Sequence, residues 1–252
     1  RSNFFVNIIK MFNFNLLIKK KKPKVVVCWL YHSCFFVYFY KIIFNKKFKL
    51  IWNIRQIPPD FNYEKKTTYI VFKVCSFLSS FVDGIIFNSK DSIIKHQLHG
   101  YKNKNIIYIP NGFEEPKKYS HKDLDEEIIV KIKNKKVVSM FARFHPAKGH
   151  RFFLHSIKYI LKELNDVIFI LGGEKINYQN NEIMNIIDEQ DINKNLILLG
   201  SVKNIDRYIQ ISDLVINCSI SSEGFPNIIG ETIMNNKICL SSNISDNKLI
   251  ID

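Results

Sequence analysis

From Lys135 onward, short β-branched runs alternate with longer segments whose apolar positions recur at helical spacing. Val137 to Phe141 reads as a strand. Gly149 to Asn165 reads as a helix with Phe153, Leu154, Ile157, Ile160, Leu161 and Leu164 on one face. The alternation continues with strands at 167–171, 196–199, 214–217 and 238–241 and helices at 181–190, 205–211 and 227–235. Strands apolar on both faces belong to a parallel sheet covered by helices on each side, so the pattern predicts βαβ organisation. The first half is less regular. Residues 24–29, 50–54, 84–88 and 105–109 read as strands separated by apolar segments of helical length, which predicts a second α/β unit. Glu114 to Lys135 is charged and contains Pro116, and the boundary is placed there, giving domains over 1–115 and 116–252.

The most membrane-like stretch, residues 25–40 (VVVCWLYHSCFFVYFY), is shorter than the ~20 apolar residues a spanning helix needs. It also carries His32 and Ser33 at its middle, and it reads as a buried strand followed by a buried helix. Residues 1–24 lack an apolar block followed by small residues, so no signal peptide is read there, and a cytoplasmic location is expected. The chain does not begin with Met and stops just after a helix should start, from which we expect a piece of a longer protein.

Composition narrows the classes. With 46% hydrophobic and 24% charged residues, the 252-residue chain has a globular balance and enough length for two modest cores. Cys28, Cys34, Cys75, Cys218 and Cys239 are scattered, odd in number and never spaced as C-x-x-C. That suits a reducing compartment and suggests neither a disulfide framework nor a zinc site. The net charge of +14 suits a phosphate-rich partner, whether nucleic acid, anionic membrane or a nucleotide-linked substrate, without choosing among them. The densest run, Lys19 to Lys24 (KKKKPK), reads equally as a solvated face.

Candidate chemistry concentrates in Ser219 to Glu231 (SISSEGFPNIIGE), where a buried strand passes into a helix and seven residues separate Glu223 from Glu231. Ligands of open α/β sheets bind outside the carboxyl ends of strands, where this loop falls. Gly224 permits close backbone approach, Pro226 stiffens the turn, and the amides of the following helix can receive a phosphate. Glu231 can offer a bidentate acceptor to a vicinal diol, and either acid by itself also reads as a capping glutamate. Arg143 and Lys148 lie upstream, in FARFHPAKG after the strand at 137–141. A planar fork and a point charge together suit the charge that develops on a departing diphosphate, although a solvent-facing pair would have the same spelling.

The pair Glu223-x7-Glu231 resembles the E-x7-E signature of family 4 glycosyltransferases, and Arg143-x4-Lys148-Gly149 resembles that family's R-x4-K-G segment. Ile109-Pro-Asn-Gly-Phe113 resembles the segment that ends the family's first domain, and Leu171-Gly-Gly-Glu174 its next nucleotide-side loop. Phe87-Asn-Ser89, Trp29 to Ser33 and Trp52 to Arg55 resemble first-domain segments placed at strand ends. The resemblance implies an α/β fold of two Rossmann-like domains facing a cleft (GT-B), both incomplete in this chain. It also implies retaining, metal-independent transfer of a sugar from a nucleotide-diphosphate sugar, without a cofactor, in lipopolysaccharide, O-antigen or capsule assembly.

By the same resemblance, Arg143 and Lys148 bind the diphosphate, Glu223 contacts the donor sugar and Glu231 the ribose. Gly172, Gly224, Phe225, Pro226 and Asn227 complete the donor side. His32 contacts the transferred sugar or the acceptor, and Arg55 an acceptor phosphate; on the residues alone, a buried hydrogen-bonded histidine and a salt-bridged arginine are equal readings. The partners expected are a nucleotide sugar, a glycan or lipid-linked acceptor and peripherally an anionic membrane, with no nucleic acid. The family's early glycine-rich loop and its C-terminal crossing helix are absent. A nucleotide-sugar epimerase of the same fold is the nearest rival, and a basic membrane- or RNA-binding module without catalysis the more distant one.

Overall fold

Two parallel sheets organise the computed structural model, which describes residues 4–59, 65–120, 123–221 and 223–251. The chain divides into two compact units, one ending at Ile109 and the other comprising Pro110 onward together with Ser89–Asp91.

The first unit begins with helix α1 (Phe4–Lys21), followed by β1 (Val25–Trp29), α2 (Leu30–Ile43), β2 (Lys49–Ile54), α3 (Lys66–Leu78), β3 (Gly84–Phe87), α4 (Lys90–Leu98) and β4 (Ile106–Tyr108). Its strands pair in chain order, all parallel, with Cys28 opposite Trp52 and Trp52 opposite Ile85. Tyr31, Trp52, Phe72, Phe87 and Tyr101 fill the core beneath them. The apolar run 25–40 does divide into strand and helix, but its strand is not buried. Of β1 only Cys28 is fully covered, while Val25, Val27 and Trp29 are exposed, because β1 pairs with β2 alone among the described residues. α2 buries Tyr31, Cys34, Val37 and Tyr40 and leaves Phe36, Phe39, Ile42 and Ile43 outward, an amphipathic helix rather than a buried one.

The second unit runs α5 (Glu126–Ile132), β5 (Lys136–Phe141), α6 (His150–Glu163), β6 (Val167–Gly172), α7 (Asn181–Gln190), β7 (Leu196–Leu198), α8 (Asp206–Ile211), β8 (Leu214–Asn217), α9 (Asn227–Met234), β9 (Ile238–Ser241) and α10 (Asn247–Ile250). Its strand order is β7-β6-β5-β8-β9, all parallel. β6 is buried at every position, as a strand packed by helices on both faces must be. α6 turns Phe153, Leu154 and Ile157 into one cluster, and α5 sends Ile128 and Ile132 into another on the opposite face. α5 lies inside the stretch read as a charged boundary, where Leu124, Ile128 and Ile132 at helical spacing carry the signal that the surrounding acids and lysines mask.

Candidate functional site

In the second sheet the chain runs outward from β5 through β6 to β7, then returns to the other side of β5 with β8. The strand order therefore reverses between β5 and β8, and the crevice at their carboxyl ends is where an open α/β sheet receives ligands. The loops leaving β5 and β8 carry Arg143, Lys148 and Glu223.

Glycines let these loops touch. Gly149 has φ 71° in the left-handed region, and a Cβ there would lie 2.1 Å from the Cys218 carbonyl oxygen. Ile220 N–H donates to the Ala147 carbonyl at 2.9 Å, stitching the β8 loop to the 146–148 turn. On the other side, Gly173 (φ 151°) sits where a Cβ would meet the Ala142 carbonyl oxygen at 2.0 Å, and Phe144 N–H donates to the Glu174 carbonyl at 2.8 Å. Gly172, at the end of β6, faces Phe141 and Val202 across the same strand ends.

This packing brings Lys148 Nζ onto Glu223 Oε1 as an ion pair, with only 24% and 9% of the two side chains exposed. Ser219 Oγ donates to the same carboxylate oxygen and is also within 2.9 Å of Asn217 Oδ1. Ser245 Oγ donates to the Glu223 carbonyl at 2.7 Å, fixing the loop backbone. Gly224 and Pro226 are buried, Phe225 half-buried, and Asn227 is exposed as the first residue of α9. Pro226 precedes that helix with φ −75° and supplies no side-chain cap, so the first-turn amides are left for another acceptor. Glu231 is half-buried within α9, and its carboxyl is pushed up first by burial and then by the nearby Asp206. Arg143 is exposed, with no ion pair or side-chain hydrogen bond among the described residues.

A model of the family Glycosyl transferases group 1 matches residues 121–252, over half of the chain. The chain belongs to that family. An uncharacterized glycosyltransferase of Methanocaldococcus jannaschii is 26% identical over 211 residues, 81% of this chain and 50% of that protein. The capsular polysaccharide biosynthesis glycosyltransferase CapH of Staphylococcus aureus is 33% identical over 107 residues, 42% of this chain and 30% of its own length. The chain thus spans half or less of the curated relatives it matches. Among solved structures, HepE of Anabaena in complex with UDP and glucose superposes with a TM-score of 0.80 at 17% identity, over 94% of this chain and 64% of that one. A glycosyltransferase of Rickettsia africae gives 0.74 at 20% identity, over 100% of this chain and 66% of its own. These likenesses show the fold, parallel α/β sheets of the Rossmann-like kind shared with GT-B glycosyltransferases.

In this group 1 glycosyl transferase chain, the donor-side residues read from sequence gather in the second unit, while His32 and Arg55 belong to the first. His32 is not buried; just past the end of β1 it is exposed in the first turn of α2, because Tyr31 and Cys34 take the inward face. Arg55, directly after β2, lays its guanidinium over the Trp29 ring at 4.8 Å, a cation–π contact. Asp123 and Asp125 stand in Asp-x-Asp spacing, but Asp123 accepts from Ser120 N–H and Oγ at 2.7 and 3.1 Å, and Asp125 is the N-cap residue of α5. No group of three or more His, Cys, Asp or Glu side chains is arranged to hold a metal among the described residues.

Two residues of the site were not legible in sequence. Ser219, four positions before Glu223, is fully buried and orients the carboxylate. His150, at the first position of α6, is buried with neither ring nitrogen completing a hydrogen bond, although the Ala142 backbone approaches it. Burial, with Lys148 adding to it, lowers its pKa to about 4, so it stays neutral beside the site.

Proposed function

We propose that the protein is a glycosyltransferase that takes a sugar from a nucleotide-diphosphate sugar held by its second unit. The observation that carries this reading is the Lys148–Glu223 pair, assembled from two separate loops at the strand-order reversal. A carboxylate tied to a lysine is poised to accept from sugar hydroxyls while the ammonium keeps further N–H donors for a phosphate. Arg143, exposed at the same strand ends, adds a planar fork for the diphosphate. Glu231, whose ionised form is disfavoured by burial and Asp206, gains from hydroxyl donors such as a ribose diol. The departing diphosphate, stabilised by Arg143 and Lys148, would take the acceptor proton on its own face, giving retention without a metal or cofactor.

The family 4 signature and the likeness to CapH support surface-polysaccharide assembly as the setting, with a glycan or lipid-linked acceptor bound by the first unit, where His32 and Arg55 lie. Calorimetry against UDP, GDP and ADP and their glucose conjugates tests the reading. Binding of one pair, weakened by about 1.5–3 kcal/mol in Arg143→Ala, is the expected result. Unchanged affinity in that variant removes Arg143 from the diphosphate site. Conversion of the nucleotide sugar without any acceptor would favour the epimerase.

A further inference from the structure

The segment Asn111 to Phe113, read from sequence as a hinge turn, is fastened to the donor loop at two points, and both lie within the second unit. Asn111 Nδ2 donates to Oδ1 of Asn227, the first residue of α9, at 2.5 Å. One turn further along α9, Gly230 has no side chain because the Phe113 ring occupies that place. A Cβ there would lie 2.1 Å from Cζ and 2.2 Å from Cε2 of Phe113. The same ring also meets Phe225 of the loop, centroid to centroid at 5.9 Å. The stretch between Glu223 and Glu231 is thus gripped from outside the loop itself, at its middle and at the start of the helix.

We infer that Phe113 and Asn111 are positioning residues for the donor sugar, with Gly230 as the socket that receives Phe113. The inference rests on the donor-site reading of Glu223. Ser219 and Lys148 hold the carboxylate end of the loop, but Phe225 to Asn227 have the 111–113 grip as their tether from beyond the loop among the described contacts. Removing it frees the backbone of Phe225 to Asn227, which would meet the sugar beside Glu223, while Ser245, Ser219 and Lys148 still hold Glu223 and the β5-side cations Arg143 and Lys148 stay in place for the diphosphate. The grip therefore discriminates a sugar nucleotide from the bare nucleotide, which a loss of general stability would not do.

The test measures affinity for UDP and UDP-glucose, or for the GDP or ADP pair if the wild-type chain binds that one, with the full chain below its melting temperature. Phe113→Ala should weaken the sugar nucleotide about tenfold and the free diphosphate by less than about threefold. Gly230→Ala, which must expel the ring, should do the same. In Phe113→Ala the added methyl has room, so the double variant should bind no worse than Phe113→Ala alone, a non-additivity that marks direct contact. Phe113→Leu should recover part of the loss. Asn111→Ala removes the hydrogen bond to Asn227 and serves if Phe113→Ala does not fold; it should shift the ratio of the two affinities in the same direction. Equal losses for both ligands, or an unchanged ratio in a folded variant, overturn the positioning role and leave the donor site standing. A wild-type chain that binds neither ligand brings down the donor-site reading and the positioning role with it.

Discussion

Lys148 and Glu223 show how a motif acquires an energetic cost. Both side chains are largely withdrawn from water, and removing one partner leaves the other charge desolvated. Lys148→Ala should therefore destabilise the second unit by about 2–3 kcal/mol, less than a fully buried pair because a quarter of the lysine side chain is open to solvent. Urea unfolding should show this as a lower midpoint, and Lys148→Ala/Glu223→Gln should regain part of it. Equal midpoints for wild type and Lys148→Ala would mean that the pair is solvated. At this scale sequence legibility was uneven. The spacing of Arg143, Lys148, Glu223 and Glu231 was visible as written, but the hydrogen bond from Ser219 depends on how the β8 loop folds back on itself. Likewise His32 looked central in an apolar run, and only the phase of α2 decides that it faces outward.

At the level of elements, the alternation of β-branched runs and helical periods was enough to place all of β5 to β9, because strands buried on both faces leave continuous apolar words. It was not enough for α5, whose lysines and acids hide a narrow apolar stripe, nor for the exposure of β1, which depends on what pairs beside it. Glycine positions carried information that only packing could decode. Gly149 and Gly200 share the left-handed region, with φ 71° and 68°, yet a Cβ meets the Cys218 carbonyl at 2.1 Å in one and nothing closer than 4.0 Å in the other. Gly200→Ala should cost about 1 kcal/mol of backbone strain, while Gly149→Ala should cost at least about 2 kcal/mol and part the β5 and β8 loops. Equal denaturation midpoints for the two variants would show that the loops yield without resistance.

On the scale of the whole molecule, each unit buries one neutral histidine among the described residues. His96 in the first is held by Tyr31 Oη and the Ser92 carbonyl, each at 2.7 Å, and His150 stands in the second; burial lowers both to about 4. An unfolded histidine titrates near 6.5, so below that pH the unfolded chain takes up protons that the folded chain refuses. Stability should be full above about pH 6.5 and fall steadily toward pH 4, by up to about 3 kcal/mol per histidine. Melting temperatures at pH 7, 5.5 and 4.5 should decline, and less steeply in His150→Phe; parallel profiles would assign the acid loss elsewhere. A second whole-molecule property is the outward face of α2, where Phe36, Phe39, Ile42 and Ile43 stand near Lys46, Lys47 and Lys49. No helix among the described residues is long and apolar enough to cross a membrane; we propose that this amphipathic face meets an anionic bilayer peripherally. Cosedimentation with anionic liposomes should exceed that with neutral ones and fall with added salt, each lysine near the surface contributing about 1 kcal/mol. Equal pelleting in every condition would leave a soluble acceptor as the better reading. The outer margin of β1 has a different implication, for handling the protein at high concentration. Among the described residues Val25 to Trp29 pairs with β2 alone, and the other edge of this uncharged, β-prone segment has the profile of a seed for chain-to-chain strand addition, with Lys24 as the charge at its entrance. Light scattering over time should rise with protein concentration, and Val27→Lys, on the open face of that strand, should slow it without shifting the melting temperature.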